Sequence, residues 1–260
     1  VAAVRIEPTI STFSVTKGGR VEETYACLAA WDLSASLDEN LDRMRRDNPI
    51  LAPTDRWLTE MRRIFRVRFG TLERHLPLVR LAKGGLPLAQ WTPILLWHLC
   101  LRELLLSDFL ESWLFPRKLE GLLRVRGSDV REYLADLRRR GLLGEEWSPS
   151  TVEKMASSLP RYAADFGLLQ GRAVKEIAAS HLPDEALLYV LHDLAEQFLA
   201  PGRMLEDRRW RRFLLSRQEL EVELLRLHQL RRLRFEIAGT LVSLELPYGS
   251  VDEYVEHLVG

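Results

Sequence analysis

Cysteine is nearly absent from the 260 residues: Cys27 and Cys100 are the only two. Two thiols make no disulfide framework and predict a reduced, buried pair in a cytoplasmic protein. Lysine is almost as scarce, at 5 of the 37 basic residues against 32 arginines. Net charge is also lacking, because 37 acidic side chains balance the basic ones, which excludes a wholly basic nucleic-acid protein. Low-complexity tracts, long glycine/serine linkers and internal repeats are missing too. With 47% hydrophobic and 28% charged residues the chain has the composition of a folded protein. The first thirteen residues contain neither the basic nor the apolar region of a secretory signal, so none is expected. The most apolar stretch, 93–115, is interrupted by Arg102, Glu103, Asp108 and Glu111. Each of those charges costs about 3 kcal/mol at a bilayer centre, so the stretch predicts two core helices, the first starting at Thr92-Pro93 and the second after a break or cap at Ser107-Asp108. No membrane association is expected.

Catalytic signatures are equally scarce. No glycine/lysine phosphate loop, dinucleotide fingerprint, HExxH or CxxC occurs. The histidines (His75, His98, His181, His192, His228 and His257) are scattered, with none three or four residues from a cysteine or another histidine, and each predicts a surface or hydrogen-bonded core residue rather than a ligand. Ser14, Ser107 and Ser216 lack glycine elbows. Acidic pairs such as Glu145-Glu146 and Asp252-Glu253 have no catalytic set nearby. The expectation is a protein with no catalytic residues, no metal and no cofactor.

What is present is a chain of helix signals, the most informative of them in residues 147–169, WSPSTVEKMASSLPRYAADFGLL. Ser148 or Ser150 suits a helix cap and Pro149 a first turn. At 100° per residue Val152, Met155, Leu159, Tyr162, Ala163 and Phe166 share one arc, while Lys154, Ser157 and Arg161 lie opposite, and Gly167 ends the helix. Pro160 falls near the solvent side of this wheel and removes one backbone bond. Upstream, Ser128 suits the cap of a shorter helix (Val130, Tyr133, Leu134, Leu137) ending in Arg138-Arg139-Arg140-Gly141. Two short helices joined by a glycine turn outline a helix-turn-helix, in which Ser150 and Thr151 sit at the N-terminus of the second helix. The competing reading is an ordinary helical hairpin with solvated charges.

Charge is segregated despite the zero total. Residues 41–82, 117–140 and 203–234 are basic, and 22–40, 176–200 and 236–260 acidic, a division that can steer a polyanion; arginine-rich solvated faces are the plainer account. The helix capped by Thr54 shows the pattern best. Trp57, Leu58, Met61, Ile64, Phe65 and Phe69 cover one arc, and Arg56, Arg62, Arg63 and Arg66 the other. Arg68 projects from the apolar arc, either snorkelling or paired internally. Further helices are predicted over 21–31, 37–46, 184–199 and 216–230, the last with a Ser216/Glu219 capping box, and after Ser250. Only residues 234–246 alternate, which suggests a hairpin turning at Gly239-Thr240. A helix followed by a hairpin is similar to a winged-helix ending, although this one can also simply close the core. The fold class is therefore all-α, a globular multi-helix fold with helix-turn-helix elements and one small C-terminal β-hairpin. Residues 1–120 and 121–260 form an N-terminal and a C-terminal region, either separate or integrated.

Five pieces in order, STFSVTKGGRVEETYACLAAWD, TDRWLTEMRRIFRVRF, LLLSDFLESWL, the 147–169 segment and RRFLLSRQELEVELLRL with FEIAGTLVSLELP, resemble the BrxA family of bacterial BREX (bacteriophage exclusion) phage-defence systems. The resemblance runs from about residue 11 to the C-terminus. It implies a helical, non-enzymatic component with two helix-turn-helix elements that binds double-stranded DNA, works beside other BREX proteins and is a monomer or weak oligomer. Carried onto this chain, the regions are Lys17, helix 55–69 (Arg56, Arg62, Arg63, Arg66) and helix 150–166 (Ser150, Thr151, Lys154, Ser157, Arg161). A protein adaptor of the defence complex and an RNA-binding helical fold are the alternatives.

Overall fold

A computed structural model describes residues 12–70, 72–143, 147–179, 181–198, 200–239 and 241–260. Glu145-Glu146, Leu199 and Thr240 lie outside the described residues. Helix-start chemistry places many of the elements. The first are α1 (Thr12–Lys17), α2 (Val21–Ala29), α3 (Leu37–Asp47) and α4 (Asp55–Phe69). Ser36 and Glu39 close a capping box on α3, and the Thr54 hydroxyl accepts the Trp57 N–H of α4 at 3.3 Å. Then come α5 (Leu76–Lys83), α6 (Leu88–Leu99), α7 (Leu104–Asp108) and α8 (Phe115–Leu119).

The predicted start at Thr92-Pro93 is wrong: both residues lie inside α6, where the Thr92 hydroxyl donates to the Leu88 carbonyl at 2.7 Å. Ser107-Asp108 is not a break either. The chain passes through a π-helical turn, Phe109–Leu114, where Ser107 donates to the buried Glu111 at 2.7 Å. Glu111 also accepts from Arg208 (2.6 Å) and Arg212 (2.7 Å), tying this turn to the 3-10 segment Arg208–Phe213.

Strand β1 (Arg124–Val125), α9 (Gly127–Arg139), α10 (Pro149–Asp165), β2 (Leu169–Gln170) and β3 (Lys175–Ile177) follow. Ser128 does not cap α9 but sits in its first turn, because Asp129 accepts the Arg126 N–H at 2.9 Å and sets the cap two residues earlier, at Arg126. The three strands form an antiparallel sheet in the order β1-β3-β2. Its registers are Arg124↔Glu176 and Leu169↔Ile177. This sheet was not predicted, since two- and three-residue strands are too short to show alternation. The chain continues with α11 (Asp184–Ala195), which ends earlier than expected, then α12 (Pro201–Leu205) and α13 (Arg217–Gln229) with its Ser216/Glu219 box. The expected hairpin, β4 (Arg234–Ala238) and β5 (Leu241–Glu245), pairs Arg234↔Glu245 through Ala238↔Leu241. Ser250 caps α14 (Val251–Val259) at 3.1 Å.

The molecule is predominantly helical. Trp91, Trp97, Phe65, Phe69 and Phe109 are fully buried, and one apolar cluster runs from Val15 to Val255. The two cysteines are free and buried, and burial pushes both thiols up to about 12. His75 and His98 share a 2.9 Å Nδ1···Nδ1 hydrogen bond, and His98 Nε2 meets the Tyr189 hydroxyl at 2.7 Å. Burial holds His75 down at about 3, helped by the charges of Arg74 and Arg102, and holds His98 well below its ordinary value. Among the described residues no helix is long and apolar enough to cross a membrane.

Candidate nucleic-acid interface

Helix α10 owes its start to Ser148, whose hydroxyl accepts the Thr151 N–H at 3.2 Å, and to Pro149 at the first position. It ends at Gly167, which takes φ +73° and lets the Leu168 N–H reach the Ala163 carbonyl at 3.1 Å. Met155, Leu159, Tyr162 and Ala163 are buried as the wheel requires. Pro160 is buried too, against expectation. The cause is that α9 packs on α10 from one side and α1 from the other, so the covered arc widens to about 200°. What remains exposed is Pro149 and Ser150 in the first turn and a face of Glu153, Lys154, Ser157, Arg161 and Asp165, of which Glu153 is paired with Arg131 of α9.

Lys154 and Arg161 make no ion pair among the described residues. The hydroxyls of Ser150 and Thr151 gather around the Ser148 hydroxyl, each at 2.9 Å, and Ser157 donates to the Lys154 carbonyl at 3.0 Å. The expected open N-terminus is therefore partly closed from within, since Thr151 is already capped and Pro149 has no N–H.

A hairpin follows α10 at 169–177, in addition to the expected one at 234–246. The later pair, β4–β5, packs on α12 and α13 with Phe235 buried, which is the core-closing role. In the loop between β2 and β3, Gly171 takes φ +98° with the Val174 carbonyl so close that a Cβ would lie 2.7 Å from it. Arg172 is exposed at this tip without an ion pair among the described residues, and Lys175 donates to the Gly171 carbonyl at 2.6 Å. Arg126, exposed and unpaired in the same sense, stands between β1 and α9. Sequence reasoning missed all three. Gly171-Arg172 was the available signal, a turn residue followed by a cation just beyond a helix stop.

Helix α4 differs. Arg62 is ion-paired with Asp42, and Arg66 with Asp38 at 2.5 Å, both acids belonging to α3 packed alongside. Arg56 and Arg63 are both exposed without an ion pair among the described residues, although the Arg63 guanidinium lies over the Phe13 ring at 4.2 Å. Lys17 reaches Glu60 of α4 at 2.9 Å. The predicted basic face is thus largely engaged by the protein itself.

Arg68 is internal, not snorkelling. It is 2% exposed, and its guanidinium meets Glu103 (3.1 Å), the Tyr162 hydroxyl (2.9 Å), and the carbonyls of Gly18 (2.5 Å) and Gly19 (3.1 Å). This clamp fixes the 17–20 loop against α10, where Asp165 accepts the Gly19 N–H at 2.7 Å. A Cβ on Gly18 would sit 2.7 Å from the Asp165 carboxylate, so only glycine fits there. One consequence is that Lys17 and Arg161, 144 residues apart in sequence, line the same cleft.

Among the described residues no group of three His, Cys, Asp or Glu side chains is placed to hold a metal. The model of the BrxA family matches residues 11–192. No curated protein and no solved structure matches the chain.

Proposed function

This chain belongs to the BrxA family and is thereby a component of BREX phage defence, and from that premise we propose that it binds double-stranded DNA through α10 and the hairpin that follows it, without enzymatic activity of its own. Family membership also implies partners among the other proteins of the defence system.

The observation that carries the reading is the set of cations left without acidic partners around α10: Lys154 and Arg161 on its exposed stripe, Arg172 on the hairpin tip and Arg126 at the end of β1. Strand, two helices, then a hairpin whose last strand joins the first is the order of a winged helix-turn-helix. In that arrangement α10 enters the major groove and Arg172 reaches the flanking backbone. Serine and threonine at the start of α10 offer hydroxyls to phosphate or base edges. The four free cations predict a log–log salt slope of about −3 to −4, at −0.9 per phosphate neutralised. Most of the affinity is then sequence-tolerant.

The test is a titration of fluorescent duplex DNA across salt concentrations. Replacing Lys154 and Arg161 together by alanine is expected to flatten the slope by about two units while leaving the melting transition in place, since both side chains are exposed. A double variant that binds like the parent at every salt concentration excludes α10 as the interface.

A further inference from the structure

The cleft of about 410 Å³ between the 15–23 segment and the second half of α10 shares only Arg161 with the proposed duplex interface. Its lining is of mixed sign. Lys17, Arg20 and Arg161 face it, and so do Glu22, Glu23 and Asp165. Several of these charges are already used: Lys17 by Glu60, Arg20 by Glu23 at 3.2 Å, and Asp165 by the Gly19 N–H. Others are not. Arg161 and Glu22 are exposed without ion pairs among the described residues.

Two observations mark the cleft as built to receive something. Ser158 lines it and is only 4% exposed; its hydroxyl, the part open to the cleft, makes no hydrogen bond among the described residues. Arg20 Nε is buried and unpartnered, its guanidinium lying over the Trp57 ring at 4.4 Å. Buried polar groups are ordinarily satisfied, and each that is not costs about 1–3 kcal/mol. The N-terminus of α2 adjoins them. Its cap, Arg20, is held at φ +49° and supplies no side-chain hydrogen bond to the first turn, so those N–H groups keep their partial positive charge.

We propose that this cleft binds a nucleoside phosphate. A bare anion fits poorly where both signs are present in equal number, whereas a nucleotide carries both kinds of group. Its phosphate oxygens accept from Arg161, the Ser158 hydroxyl and the start of α2. Its base donates amino N–H groups to Glu22. The volume is within the range of small-molecule pockets. The ligand is either a free nucleotide or the phosphorylated end of a strand, which present the same chemistry. The Arg68–Glu103 pair acts on this site as a positioning device, since Arg68 holds the carbonyls of Gly18 and Gly19.

Calorimetric titration of the full chain with nucleoside mono- and triphosphates tests the proposal. Binding is expected below about 1 mM, with inorganic phosphate and the unphosphorylated nucleosides each at least about tenfold weaker. Ser158→Ala and Glu22→Gln are each expected to weaken it about tenfold; Glu22 is exposed, so its variant reports even if the serine variant unfolds. Lys154→Ala is expected to leave nucleotide binding unchanged while weakening duplex binding, which separates this site from the duplex interface. A 5′-phosphorylated single strand that competes with the nucleotide identifies strand ends as the source, and one that does not identifies the free nucleotide. No binding by any nucleoside phosphate at about 1 mM, inorganic phosphate binding as tightly as nucleotide, or binding unmoved by both variants overturns the proposal.

Discussion

Helices α4 and α10 start from the same sequence design, a buried apolar arc opposite a stripe of cations, and end in different electrostatic states. Beside α4 lies α3, whose Asp38 and Asp42 meet Arg66 and Arg62. Beside the exposed stripe of α10 no acid is close enough to pair with Lys154 or Arg161 among the described residues. A basic helix face therefore becomes a candidate for phosphate only when its neighbours leave it alone. Counting arginines ranks α4 first, while counting cations with neither an acidic nor an aromatic partner among the described residues ranks α10 first, because Arg63 of α4 lies over Phe13. The one arginine of α4 with the strongest set of contacts, Arg68, points inward and holds the loop that flanks α10.

The contrast predicts its own breaking points. Arg68→Ala leaves Glu103 buried without its cation and removes the donor to the carbonyls of Ser14, Gly18 and Gly19, so a loss of about 3–5 kcal/mol in urea unfolding is expected. Arg161→Ala should stay within about 0.5 kcal/mol of the parent. Equal losses for the two variants would erase the distinction between inward and outward arginines.

Acid tests the core beneath α4. Phe69 of α4 packs edge-on against His75 at 5.1 Å, and His75 bonds His98. An unfolded histidine takes up a proton near 6.5, but His75 resists protonation down to about 3. Below pH 6.5 the unfolded chain therefore binds more protons than the folded one. Stability is full above that pH and falls as acid is added, by about 1.4 kcal/mol per pH unit for each such histidine. The decline for His75 levels off once pH passes below about 3. Urea midpoints at pH 7 and pH 5 measure it. An unchanged midpoint would place these histidines in contact with water.

The smallest effect is expected on the basic face of α4. Arg62→Ala with Arg66→Ala removes two solvent-facing ion pairs and should cost no more than about 1 kcal/mol for each. Its effect on the salt slope of duplex binding should be well below that of the Lys154/Arg161 pair. A larger flattening than theirs would return the interface to α4 and show that Asp38 and Asp42 yield to phosphate.

Much of the helical layout was legible in the residues. Thr54, Ser216 and Ser250 declare helix starts through chemistry confined to one turn, and the period of Met155, Leu159 and Tyr162 fixes a buried face by geometry alone. The hairpin at 234–245 showed itself because five residues on each strand suffice for alternation. Strands β1, β2 and β3 did not, because two or three residues carry no period and are made strands only by one another. Pro160 was misplaced because a wheel has one buried side, whereas α10 is covered by two neighbours.

By itself, then, the sequence determined the family, the predominantly helical class and which helices carry cations, since these follow from residue order and local periodicity. Only the tertiary structure decided which cations are free, where the hairpin after α10 lies and that Lys17 meets Arg161 at one cleft. Those outcomes depend on pairings between residues tens to more than a hundred positions apart, and charge neutralisation is a property of the neighbour in space, not of the neighbour in sequence.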